Sequence, residues 1–185
     1  MDNTLLFHLL HLTDQTLPIG GFSHSAGLET YVQKDIVKDK HTAREFITAQ
    51  LSVNIRFTDA AIMSLAHDAA KSNDLDALIH LDSICSAVKL PREMREASQK
   101  LGARLLKIFH PLCDMELARI YREALTGKQA AGHYAVVFGM YSALLGIDKG
   151  SALVAFYYNL ASGMVTNCVK LIPLVSWRDR NCSFH

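Results

Sequence analysis

Two stretches constrain what this chain can fold into more than any other feature: "YAVVFGMYSALLGI" (Tyr134 to Ile147) and "SALVAFYYNLASGMV" (Ser151 to Val165). Each is apolar around most of a helical circumference, so each has to be surrounded by protein or by lipid. Neither reaches the ~20 apolar residues that a membrane crossing needs. A central pair of buried helices, joined at "GIDKGS", is therefore the expectation; a membrane hairpin is the rival.

The remaining segments also read as helix. Leu5, Leu6, Leu9 and Leu10 recur at helical spacing and place His8 and His11 on another side. From Thr42 to about Ala70 one stripe runs through Ile47, Leu51, Ile55, Thr58, Ile62, Leu65 and Ala69 in steps of three or four. A shorter stripe, Leu75, Leu78, Leu81, Cys85 and Val88, follows a start signal at Asn73 and Asp74. Pro91 suits the first turn of a helix in which Met94, Ala97, Leu101, Leu105 and Ile108 line up until His110-Pro111. Another helix is expected from Leu112 to Leu125, stopping at Thr126-Gly127-Lys128. No alternating strand, internal repeat or low-complexity linker interrupts this series. The fold class is all-α, a single-domain helical bundle.

At 185 residues, with 50% hydrophobic and 20% charged, the chain can bury a core and is not of disordered composition. The formal charge of +1, with both signs intermixed, argues against nucleic acid as a partner. Cys85, Cys113, Cys168 and Cys182 have no metal-ligand spacing and read as reduced thiols of a cytoplasmic protein. The opening "MDNTLLFHLLHLTDQ" lacks a basic leader and a small-residue cleavage site, so it does not read as a signal peptide.

Two elements invite a functional reading. On the last helix, Asn159, Ser162, Gly163, Thr166 and Lys170 fall in one sector, opposite Leu153, Tyr157, Leu160, Met164, Cys168 and Leu171. Internal hydrogen bonds or a partner must satisfy that polar stripe. Lys170, at its end, is either a snorkelling terminal lysine or a contact.

The other is "LPIGGFSHSAGLETYVQ", Leu17 to Gln33. It is not a P-loop, since no lysine follows Gly27 and no strand precedes Gly20. A serine hydrolase could use Ser23 or Ser25 with His24. However, sequence neighbours rarely face each other as nucleophile and base, and the GxSxG elbow is absent. His8 and His11, one turn apart, could chelate a metal only with a third ligand. As structure, Pro18 stiffens the entry, Gly20 and Gly21 permit positive φ, and Ser23 or Ser25 caps a helix starting near Ala26. Such a turn either displays Phe22 and His24 to a partner or tucks Phe22 into the core.

Four pieces of the sequence, in order, resemble the UreF family of urease accessory proteins. They are "LPIGGFSHSAGLETYVQ", "SQKLGARLLK" (Ser98 to Lys107), "HYAVVFGMYSALLGI" (His133 to Ile147) and "ASGMVTNCVKLIPL" (Ala161 to Leu174). The resemblance implies a non-enzymatic, all-helical chaperone for nickel insertion during urease maturation. It implies a homodimer that binds UreD (UreH in some organisms), recruits the GTPase UreG and acts on the urease apoprotein. Nickel and GTP would then be handled by partners, leaving no cofactor, metal or catalytic residue here, and no membrane or nucleic acid contact. It assigns partner binding to Gly20, Gly21, Phe22, Ser23, His24, Ser25 and Glu29, with Asn167 and Lys170 on the last helix. It assigns dimer contact to Gln99, Lys100 and Gly102, where the glycine would admit a partner helix. The resemblance covers residues 1–174. After Leu174 the chain reads "VSWRDRNCSFH", without a helical apolar period, and 175–185 is expected to be a divergent, poorly ordered tail that leaves UreD binding weak.

Overall fold

A computed structural model describes residues 3–14, 27–112 and 115–172. The glycine turn from Gly20 to Ser25 and the tail 175–185 lie outside the described residues. So do Cys113 and Cys182.

The described residues form helices and connecting turns only. In chain order these are α1 (Asn3–Leu12), α2 (Leu28–Gln33), α3 (Lys40–Ala49), a π-helical stretch (Gln50–Ile55), α4 (Asp59–Lys71), α5 (Leu75–Val88), α6 (Arg92–Phe109), α7 (Glu116–Thr126), α8 (Tyr134–Leu144) and α9 (Lys149–Leu171). Aspartates start three of them. Asp39 accepts from the Thr42 amide while Thr42 Oγ1 accepts from the Asp39 amide, closing a capping box. Asp74 accepts from the Ala77 amide and Asp148 from the Ser151 amide, each at 2.9 Å.

The bundle is built around α8. Every residue from Tyr134 to Ser142 is buried, as its lack of a polar face demands. α4 lies along it so closely that a Cβ on Gly139 would sit 2.3 Å from the Met63 carbonyl oxygen. α9 covers another side through Ala152, Ala155 and Phe156, and Phe156 packs against Tyr134 and Phe138 with ring centroids 5.7 and 5.2 Å away. The two apolar helices thus form the expected pair, with unequal burial: Val154, Tyr158, Val165 and Val169 point outward from α9. α5, α6 and α7 complete the core with Leu78, Cys85, Leu105, Leu106, Phe109 and Tyr121.

Four sequence expectations are corrected, two in continuity or facing and two in boundary. The stripe from Thr42 to Ala70 is not one helix: a π-helical stretch adds about one residue to a turn, and the chain breaks at Thr58 (φ −119°, ψ −91°). Within α4 the stripe keeps Ile62 and Ala69 inward, but Leu65 is exposed and Met63 and Ala66 turn inward instead. On α1, Leu6, Phe7 and Leu10 are exposed while Leu12 is buried, and His11 lies 5.0 Å from the Phe109 ring. At the other boundary, α7 starts at Glu116 rather than Leu112, and Pro91 occupies the cap of α6 rather than its first turn.

Candidate partner-binding surface

The two most distinctive motifs stand some 140 residues apart in sequence and meet in space. Gly27, at φ 85°, delivers the chain from the glycine turn into α2. α2 has two inward residues, Leu28 and Val32, so it cannot stand alone; it packs with α3 on the C-terminal end of α9. Leu28, Val37, Ala43, Cys168 and Ile172 form a second, smaller core there, flanked by Phe46 and Ile47. Tyr31 rests on Phe46, with ring centroids 5.2 Å apart, and closes its outer edge.

This small core fixes the residues that the sequence singles out. Glu29 is exposed, one position after the buried Leu28. Lys170 is exposed in the last turn of α9, two positions after the buried Cys168, and Asn167 is buried at 8% exposure beside it. Glu29 and Lys170 therefore share one end of the bundle, where the chain leaves the glycine turn. The rest of the polar stripe is answered from within in part, with Asn159 Oδ1 buried and unpartnered. Asn159 donates to the Leu12 carbonyl and the Tyr134 hydroxyl, and Thr166 bonds back to the Ser162 carbonyl at 2.8 Å.

The QKLG element of α6 divides between two faces. Gln99 is half-buried, Lys100 is exposed, and Gly102 is buried. The backbone that Gly102 admits is the chain's own: a Cβ there would lie 2.0 Å from the Gly132 carbonyl oxygen and 2.9 Å from the Tyr134 nitrogen. Its smallness is used up at the entrance to α8.

That entrance holds a buried polar cluster whose members are scattered in sequence. Asp82 is 1% exposed. One carboxylate oxygen accepts from the Tyr121 hydroxyl at 2.5 Å and from the Ala131 and Gly132 amides, and the other accepts from the His133 amide at 2.8 Å. His133 is fully buried, with Nε2 2.8 Å from Ser86 Oγ and Nδ1 3.1 Å from Ser98 Oγ. Burial holds the His133 imidazole below its ordinary value of 6.5, with Asp82 opposing, and pushes the Tyr121 phenol well up. Burial likewise raises the Cys85 thiol to about 12. His133 thus sits in a polar cluster whose members are brought together by the fold and not by sequence spacing. The one sequence clue is Asp82 itself, an acid on the inward face of α5 between Leu78 and Cys85. Serine, histidine and aspartate do not form a hydrolytic relay here, because Asp82 holds the His133 backbone and not its ring.

Among the described residues, no group of three His, Cys, Asp or Glu could hold a metal ion. In the same residues, no helix is long and apolar enough to cross a membrane.

The UreF family profile matches residues 37–175, which includes the α6 element, the apolar pair and the Asn167–Lys170 end of α9. The chain belongs to the UreF family. It is 48% identical over 166 residues to the urease accessory protein UreF of Actinobacillus pleuropneumoniae serotype 5b (strain L20), covering 90% of this chain and 73% of that protein. Against the Haemophilus influenzae (strain PittGG) protein of the same name it is 49% identical over 166 residues, covering 90% and 71%. The Sporosarcina pasteurii protein shares 39% identity over 147 residues, covering 80% of this chain and 73% of its own length. The UreF-family assignment carries a role in urease maturation.

Proposed function

We propose that this chain is a non-catalytic cytoplasmic chaperone in nickel insertion into urease, acting as a homodimeric scaffold between UreD (UreH) and the GTPase UreG on the urease apoprotein. Nickel and GTP belong to its partners in this reading. The observation that carries it is the convergence of two family motifs at one end of the bundle. Gly27–Glu29, the exit from the glycine turn, and Asn167–Lys170 of α9 are held together by the core of Leu28, Cys168 and Ile172. Glu29 and Lys170, exposed at that end, supply opposite charges for a partner with a complementary surface. Gly20, Gly21, Phe22, Ser23, His24 and Ser25, which precede Gly27 in sequence, are assigned to partner binding by the family resemblance. Gln99 and Lys100, on the outer side of α6, mark the dimer contact, with Gly102 behind them holding α6 to α8.

Co-expression with UreD, UreG and urease subunits tests the reading. The chain is expected to hold UreD weakly, to retain UreG with it, and to restore urease activity to cells lacking their own copy. Failure to co-purify with either partner, with activity unrestored, would refute the scaffold.

A further inference from the structure

The entrance to α8 is held by contacts that depend on the charge state of one ring. His133 spans two helices, meeting Ser86 of α5 through Nε2 and Ser98 of α6 through Nδ1. Ser98 Oγ also accepts from the Tyr134 amide at 3.3 Å. In a neutral imidazole one nitrogen donates and the other accepts, so one serine hydroxyl gives its proton to the ring. In the charged ring both nitrogens donate, and that serine, half-buried Ser86 or buried Ser98, must turn its proton away from the ring. We propose that His133 is an acid-released latch: its uncharged ring fastens α8 to α5 and α6, and a second ring proton opens that junction.

The surrounding charges leave the decision to burial. Asp82 faces His133 from α5, Lys89 from the residue that caps its C-terminus, Asp59 from α4 and Arg95 from α6. Two are negative and two positive, and Asp59 and Lys89 are already paired at 2.8 Å. α7 presents Tyr121, whose phenol proton is spent on Asp82, and the Cys85 thiol on α5 is un-ionised at neutral pH. An imidazolium therefore enters a fully buried site whose carboxylates are already engaged. Because the folded ring binds its proton less readily than the exposed ring, the latch is closed above about pH 6.5. Opening grows more favourable as pH falls below that value, by up to ~tenfold per unit, until the folded ring itself titrates. The opened junction includes Ser98, next to Gln99 and Lys100, so acid would loosen the inner support of that face of α6.

Hydrogen exchange by NMR tests the latch in the full chain. The amides of Ala131, Gly132, His133 and Tyr134, held by Asp82 and Ser98, are expected to lose protection below pH 6.5, while the Phe156 amide in α9 keeps its own. The His133 ring protons should titrate with a midpoint below 6.5, and His133→Gln should flatten the pH dependence of the four amides. Equal loss at Phe156 would overturn the proposal, since opening would then be global. Ring titration at or above 6.5, or titration with protection unchanged, would overturn it as well. Should His133→Gln not fold, the wild-type titration and exchange decide the matter alone.

Discussion

Two glycines on long helices have opposite meanings, and the sequence alone does not separate them. Gly102 in α6 faces the backbone of Gly132 to Tyr134 with no room for a methyl group, whereas Gly163 in α9 has nothing within 4 Å of a built Cβ. Gly102→Ala is therefore expected to destabilise by ~2 kcal/mol or more, through overpacking against backbone that cannot yield. Gly163→Ala should stabilise by up to ~1 kcal/mol, because a mid-helix glycine gives up helix propensity for no packing gain. Urea denaturation of both variants checks the pair, and equal effects would contradict the packing described. The same limit applies to His133, Ser86, Ser98 and Asp82. Their side-chain types are plain in the sequence, but the contacts that give them meaning cross 35 to 51 positions. Lys170, by contrast, is legible as the exposed end of a long helix whose apolar face is clear.

At the scale of elements, helical periodicity finds every helix from α3 onward and misplaces phase where regular winding stops. The π-helical stretch Gln50–Ile55 has no apolar signature of its own, and within α4 the stripe through Ile62 and Ala69 takes in the exposed Leu65 and passes over the buried Met63. Truncation tests which phase is real. Met63→Ala, at a site with no exposure, should cost ~2–5 kcal/mol, and Leu65→Ala, at 54% exposure, less than ~1 kcal/mol. A reversed order in thermal melts would contradict the facing of α4 described here. The short α2 is harder to read than the long elements, because six residues hold too little periodicity. It is fixed by Leu28 packing on Cys168 and Ile172, a contact no local pattern announces.

For the whole molecule, the apolar pair is the most legible feature. α8 cannot face water on any side, so everything else is arranged around it, and α9, apolar but less evenly, carries the motif that ends at Lys170. What the pattern of residues could not supply is proximity. Gly27, the start of α2 and the end of α9 come together only because α2 and α3 close the small core between them. A single measurement tests that surface most directly: capture of UreG by the UreD-bound chain, comparing wild type with Lys170→Ala. Truncating an exposed side chain should leave the melting temperature within ~1–2 °C of wild type. The account predicts that UreG capture and urease activation are both lost at that unchanged stability. UreG captured by Lys170→Ala as well as by wild type would contradict it.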